Sequence, residues 1–549
     1  MSTQAYDALY RDFMPAQIEA QLIGDLERGF NVCEEICDRW AEGDRIGLYY
    51  EGLERPASSH GFAELKARAA RFANYLKACG IGRGDRVAGL LPRTPELLVV
   101  VLGTLRAGAV YQPLFTAFGS GAIEYRLSRA GTKLVVTDPA NRNKLDDVQN
   151  CPPILLVDRD SAAERYASDP DFARSLADQA AEFEPVRIGA DEPFLQMFTS
   201  GTVGKAKGVA VPARALLSFY AYMRYAIDLR PEDRYWNVAD PGWAYGLYYA
   251  VVGPLLLGNA THFNEQGFTA DSTYEMIRKY RITNLAAAPT AYRMLMANDD
   301  GREDSLGLRV ASSAGEPLNP EVIGWVNRRL GCPVMDHYGQ TETGMTCCNH
   351  HALEHQVRVG SMGFSMPGHR VVALDTDCNE IGEGEIGQLA VDTENSPLFF
   401  FQGYTWGEKN PFHGRYYLTG DVVMSHGDGS YSFTGRDDDI ITTAGYRVGP
   451  ADVESTLLEH PAVAESGVVG KPDAKRGAII KAYVVTRAQY DADEALAEEL
   501  KQLVRSRLST HAFPREIEFV EALPKTPSGK IQRFVLRNQA REESERLAV

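Results

Sequence analysis

The chain has 549 residues, 44% of them apolar, which suits an ordinary globular protein of several domains with ample core. Its formal net charge of −17 excludes general affinity for nucleic acid or anionic membrane, so any anionic ligand must meet local positive charge. The longest apolar stretch, 97–111, is broken by Arg106 and is too short to span a bilayer.

The first 23 residues carry acids early and lack a basic start or apolar core, so no signal peptide is expected. Eight scattered cysteines then point to reduced thiols and a cytoplasmic protein. From 58 to 138 the pattern alternates: amphipathic helix over 62–79, strand over 86–91, helix over 95–107. Such alternation predicts a mostly parallel, helix-covered sheet. A second α/β unit starts near Asp191. There the apolar run 194–198 reads as a buried strand, followed by Thr199-Ser200-Gly201-Thr202-Val203-Gly204-Lys205-Ala206-Lys207-Gly208-Val209. Glycines let backbone N–H groups turn toward an anion, hydroxyls add donors and lysines add charge, so this is a phosphate loop. It is not a Walker loop, which needs Gly at Thr199 and a hydroxyl at Ala206.

Residues 236–263 are rich in aromatics and glycine, including Trp243, and by composition alone suit core better than pocket. Residues 285–290 read as a strand and turn. Next come the segment 312–317 and then Asp336-His337-Tyr338-Gly339-Gln340-Thr341-Glu342-Thr343-Gly344. Nucleotide chemistry wants a flat face for a purine, a hydroxyl near the α-phosphate and a hard oxygen for magnesium; Tyr338, Thr341 and Glu342 are of those types. Taken alone, Thr341 and Glu342 fit a helix cap as well. Cys347, Cys348, His350, His351 and His355 lack paired zinc spacing and read instead as a partly exposed polar helix end. The match to G-x-G-x-x-G at 382–387 is discounted, because its glutamates repel phosphate and a strand follows where a dinucleotide fold needs a helix. Asp421 follows a strand and suits a ribose diol. The charged run 435–440 marks a linker, after which helices over 451–459 and 493–508 and strands over 465–469, 478–485 and 516–520 form a small α+β domain. Its tail carries Lys525-Thr526-Pro527-Ser528-Gly529-Lys530.

The loop at 199–209, the run 338–344, Ala444-Gly445-Tyr446-Arg447-Val448-Gly449-Pro450 and Lys530-Ile531-Gln532-Arg533, in this order, resemble the adenylate-forming superfamily of acyl-CoA synthetases, peptide-synthetase adenylation domains and beetle luciferases. From about residue 30 to the tail the chain is most similar to the medium-chain acyl-CoA synthetases. The resemblance implies a large N-terminal domain, 1–436, of two helix-covered mostly parallel sheets plus a small β-barrel-like part, with subdomains of about 1–190, 191–365 and 366–436. A small mobile α+β domain, 437–549, would swing about a hinge at Asp438. It implies ATP, magnesium and CoA as cofactors, and a small carboxylic acid, with no nucleic acid and no stable membrane insertion, as partner. The ATP or AMP contacts it implies are Thr199, Ser200, Gly201, Thr202, Val203, Gly204, Lys205, Lys207, Gly315, Glu316, Pro317, Asp336, His337, Tyr338, Gly339, Gln340, Thr341, Asp421, Arg436 and Lys530. Lys530, Thr341, Glu342 and Arg447 would be catalytic, with Glu342 on the metal, and Ala444, Gly445, Tyr446 and Arg476 would line the CoA site.

Two departures stand out. The family usually has Pro where Ala206 stands, and some relatives have a CoA-binding lysine where Ala512 stands. Trp243 and Gly339 are expected in the acyl pocket; acetyl-CoA synthetases carry Trp at the latter position, so Gly339 is read as opening the pocket to longer acids. A medium-chain fatty acid is favoured, with aryl acids, branched short acids, a separate carrier protein in place of CoA, or luciferase-like chemistry as alternatives. Retention of Glu342, Asp421, Arg436 and Lys530 argues against a catalytically dead nucleotide binder.

Overall fold

In the computed structural model the described residues are 4–158, 161, 166–199, 206–299, 301, 306–406, 410–437, 439–443, 446–473, 476–508, 512–525 and 530–547. The first sheet has six strands in the order Ile154–Leu156, Leu134–Thr137, Arg86–Leu90, Val110–Pro113, Pro193–Thr199 and Lys207–Pro212. Neighbours run parallel except the last pair, which is antiparallel and flanks the expected phosphate loop. The helix Pro95–Arg106 packs on this sheet and is buried at every position except Glu96, and the helix Phe62–Ala78 packs on that helix. Arg106, the charge inside the apolar run, is itself buried and forks onto Asp38 at 2.7 and 2.6 Å. A bidentate guanidinium–carboxylate pair is what lets a charge sit there.

The second sheet runs Tyr235–Asn237, Asn284–Ala287, Val310–Ala314, Val334–Gln340, Gly344–Cys348 and Phe364–Ser365. Its first four strands are parallel and the last two antiparallel. The two sheets share one apolar core, in which Phe194, Met197, Phe219, Tyr248 and Tyr249 meet. The third part is a five-stranded antiparallel sheet of Val371–Leu374, Ile386–Asp392, Tyr416–Ser425, Phe412–His413 and Tyr431–Arg436; its described strands do not close into a barrel. The architecture is therefore the expected one of two parallel-rich sheets, a smaller β part and a small α+β unit.

That last unit has Val463–Asp473 antiparallel to Gly477–Thr486, with Glu516–Phe519 parallel to the latter. Helices Pro450–Leu458, Glu494–Arg507 and Arg533–Leu547 surround this sheet. The last of these was not read from the sequence, because seven charged side chains in its fifteen residues leave little apolar periodicity. Glu543 holds it to the sheet by accepting from both Lys471, at 3.2 Å, and Lys481, at 2.6 Å.

The cysteine and histidine run differs from the expected exposed helix end. Cys347 and Cys348 are buried in a strand, His350 is buried and stacked on Tyr6, and His351 Nε2 lies 2.8 Å from the Ala311 carbonyl. Burial pushes His351 down to about 4, so this is neutral packing. At 382–387 a turn with Gly384 at φ +77° leads into a strand, as expected. Among the described residues no helix is long and apolar enough to cross a membrane.

Candidate active site

The strand Pro193–Thr199 delivers Thr199 to the edge of the first sheet, and Lys207 begins the returning strand. Ser200, Gly201, Thr202, Val203, Gly204 and Lys205 lie outside the described residues. The start of the return is held from two sides. Tyr125 donates to the Ala206 carbonyl at 3.0 Å, and the Thr405 N–H donates to the Gly208 carbonyl at 2.9 Å. Lys207 Nζ sits 4.5 Å over the ring of Tyr404, and the hydroxyl of that ring donates to Glu342 Oε1 at 2.8 Å. Phosphate-loop lysine and candidate metal ligand thus share one aromatic ring.

Glu342 follows the strand Val334–Gln340, which places Tyr338 and Gln340 on a common partner. Both donate to Asp421 Oδ2, at 2.5 and 2.7 Å, while Arg436 lies 3.3 Å from Oδ1. Gln340 is oriented in turn by Tyr417, which donates to its Oε1 at 2.9 Å. The Thr341 carbonyl accepts from Tyr248 at 3.0 Å, and Tyr249 accepts from the Met345 N–H at 3.1 Å, so a buried helix of the second sheet fixes the turn between the two strands. Burial raises the pKa of both carboxyl groups. Tyr404, Lys207 and Arg436 oppose it at Glu342, and Arg436, Tyr338, Gln340 and Lys530 oppose it at Asp421.

Other residues expected at the nucleotide make hydrogen bonds within the protein. Glu316 accepts from Thr290 at 2.8 Å and from Arg293 at 2.6 Å, tying its loop to a neighbouring helix. Gly315 has φ +100°, and Pro317 completes that loop. His337 is buried and neutral, with Nδ1 2.8 Å from the Tyr222 hydroxyl. Asp336 accepts from the Leu318 and His337 N–H groups at 3.2 and 3.1 Å, and burial raises its pKa to about 8. Because the folded-state pKa lies above the ordinary 3.8, the folded chain holds this proton more tightly than the unfolded chain. The resulting penalty is absent below the ordinary pKa, grows between the two values and levels off above about 8. Asp336→Asn cannot ionise, so its melting temperature is expected to rise relative to the parent between about pH 5 and about pH 8; parallel curves would refute the assignment.

Gly339 corrects an expectation. A Cβ built there would lie 2.2 Å from the Gly344 carbonyl oxygen and 2.7 Å from Met345 Cα, both backbone of the returning strand. The absent side chain leaves room for the hairpin's own return and does not open a pocket. The pairing is irregular at this point, with a shift between Tyr338 and Gly339. Gly339→Ala is expected to destabilise the protein by about 1–3 kcal/mol, read as a lower melting temperature, with activity falling on every acid; unchanged melting would contradict it. Trp243, the other expected pocket residue, packs against Phe115 and Phe118, both at 5.4 Å.

In the small unit, Lys530 is exposed and its charge reaches Asp421. The loop before it is pinched at its base, where Lys525 pairs with Ile531 and the Gln532 N–H donates to the Pro524 carbonyl at 2.8 Å. Lys525 is bound to Glu465 at 2.7 Å, and Arg533 forks onto Glu454 at 2.9 and 2.5 Å. Asp438, Ala444 and Gly445 lie outside the described residues, as do the side chains of Tyr446 and Arg447. Arg476 is exposed in a turn whose N–H bonds Asp473 at 2.8 Å. Sequence reasoning assigned no role to Tyr404, Tyr417, Tyr248 or Tyr249.

The AMP-binding enzyme family matches residues 38–405, and the AMP-binding enzyme C-terminal domain matches residues 452–530. The chain belongs to the AMP-binding enzymes. Within them it is an AMP-forming ligase of the acyl-CoA synthetase family. It is 36% identical to the acetyl-coenzyme A synthetase of Bacillus subtilis, over 97% of this chain and 94% of that one. It is 34% identical to the mitochondrial acyl-coenzyme A synthetase ACSM4 of Rattus norvegicus, over 94% and 91%. Among solved structures, a Brucella canis acyl-CoA synthetase is 51% identical with a TM-score of 0.79, covering 98% of this chain and 100% of that one. A benzoate CoA ligase from Burkholderia xenovorans is 27% identical with a TM-score of 0.82, covering 92% and 100%.

Proposed function

We propose that this AMP-binding enzyme joins a carboxylic acid, with a medium-chain fatty acid favoured, to AMP at the expense of ATP and then passes the acyl group to CoA. The reading is carried by the meeting of distant stretches of chain at two buried carboxylates: Lys207 and Glu342 share the Tyr404 ring, and Tyr338, Gln340 and Arg436 converge on Asp421. A carboxylate is a poor acylating agent because oxide would have to leave, whereas AMP leaves a mixed anhydride readily. The substrate carboxylate attacks the α-phosphate and pyrophosphate departs, a step governed by positioning and charge neutralisation. Asp421 accepts the ribose hydroxyls, with Tyr338 as a flat wall for the purine. Lys207 meets the outer phosphates, and Lys530 neutralises the charge gathering on the α-phosphate oxygens. Glu342 is a buried hard-oxygen donor whose burial penalty a cation would relieve, so it fits magnesium, which supplies neutralisation of phosphate charge. In the second half the CoA thiol attacks the acyl carbonyl, the carbon–oxygen bond to AMP breaks and AMP leaves. The small domain turns about Asp438 between the halves and presents 444–447 and Arg476 to CoA.

Acid length is supported by likeness to the mitochondrial acyl-CoA synthetases, since Gly339 no longer bears on it; 36% identity to an acetyl-coenzyme A synthetase keeps acetate as a second reading. AMP formation with ATP, magnesium and CoA across acids from acetate to decanoate, with isobutyrate, benzoate and phenylacetate, tests both. CoA-dependent turnover peaking on the middle lengths is the expected result, and a peak on acetate or benzoate replaces the acid. Pyrophosphate exchange without CoA-dependent turnover would move the acceptor to a carrier protein.

A further inference from the structure

One segment near the site belongs to neither phosphate loop nor nucleotide strand. Residues 403–406 form a strap across the returning limb of the phosphate loop: Tyr404 makes an isolated antiparallel bridge to Val209, and the Thr405 N–H bonds the Gly208 carbonyl. Trp406 lies flat on Phe198, with ring centroids 5.6 Å apart and planes 17° apart. The indole occupies the space over Gly208 so fully that a Cβ on that glycine would lie 2.3 Å from it. Between these anchors the Tyr404 ring meets Lys207 at its face and Glu342 at its hydroxyl.

The two contacts use opposite ends of one dipolar group. The electron-rich face attracts the ammonium, and the hydroxyl donates a charge-assisted hydrogen bond to the carboxylate. A rigid ring with two torsions, docked by backbone pairing on one side and an indole on the other, fixes the lysine relative to the acid. On the proposed function above, these are the groups for the outer phosphates and for magnesium. We propose that Tyr404 is a positioning residue, held by the Trp406 strap, that sets the orientation of the metal ligand Glu342 and couples it to Lys207. Partners one bond removed from a metal typically change its affinity tenfold to a hundredfold when lost.

The test compares Tyr404→Phe, Trp406→Leu and Trp406→Phe with the parent. Calorimetric titration with ATP is run with and without magnesium, alongside the magnesium dependence of pyrophosphate exchange. Tyr404→Phe keeps the ring over Lys207 and loses the bond to Glu342. Its half-saturating magnesium concentration is expected to rise about tenfold, while ATP binding without metal and kcat at saturating magnesium change less than about threefold. Trp406→Leu is expected to weaken ATP binding with or without metal, and Trp406→Phe, which retains stacking on Phe198, to restore most of it. A lowered melting temperature with an unchanged magnesium requirement would make Tyr404 a packing residue only and overturn the proposal. If the parent catalyses no acid-dependent exchange, the functional reading fails separately, and the calorimetric comparison still decides the role of Tyr404.

Discussion

Lys530→Ala is expected to lower acid-dependent pyrophosphate exchange by about 10²–10³-fold, while conversion of supplied acyl-AMP and CoA to thioester falls far less. The lysine stands on an exposed loop whose charge reaches the buried Asp421, so it contributes where phosphate charge gathers in the first step. Nothing in the thiol's attack on the acyl carbonyl needs a second cation at that place. Its removal should leave the melting temperature near that of the parent, because an exposed side chain contributes little to packing. Equal losses in both half reactions would refute the role.

Asp421→Asn is expected to lower kcat/KM for ATP by about 10–100-fold, mostly through KM. The substitution preserves shape but not hydrogen-bond chemistry. Tyr338 and Gln340 both donate to one carboxylate oxygen, and Arg436 approaches the other. An amide offers one acceptor where three donors converge, and its own NH2 group faces a donor. Tyr338 and Arg436 then lose their common anchor, so the purine wall and the cation near Glu342 loosen together. An unchanged KM for ATP, measured at saturating acid, would remove Asp421 from nucleotide binding.

The parts of the site legible in the sequence are those where one short run carries its own chemistry. The 199–209 run has the residue types expected of a phosphate loop, and Tyr338, Thr341 and Glu342 sit within five positions. The alternation from 62 to 107 gave the first sheet because helix and strand periods differ and each segment is long enough to display its own. What stayed hidden depends on folding partners far along the chain. Tyr404 acquires its meaning from Glu342, 62 positions away, and from Lys207. Gly339 was misjudged because a lone glycine says that a side chain is absent, not what fills the space; the filler is the backbone of residues 344 and 345. Glu316 and Asp336, expected at the nucleotide from the resemblance, bond Thr290, Arg293 and backbone N–H groups that no short run reveals. The last helix was missed because few apolar residues, Leu536 and Ala540 among them, pack it on Val469 and Tyr483, and the bonds of Glu543 to two lysines leave no apolar stripe to read.

The pinched base beneath Lys530 bears on evolution and engineering alike. Because Gln532 is fastened to Pro524 and Ile531 to Lys525, while Lys525 also holds Glu465 and the adjoining Arg533 holds Glu454, the two limbs that flank 526–529 form a neck that cannot slide, like that of a noose. Lengthening such a noose by one residue costs folding only a few tenths of a kcal/mol, about what the logarithmic closure law gives. The same residue moves the lysine tip by up to about 3.5 Å, more than a hydrogen bond tolerates. Fold and catalysis therefore respond to different lengths of the same loop. Insertions here should pass a stability screen and fail a turnover screen, so the segment can vary in composition under selection while its length stays fixed.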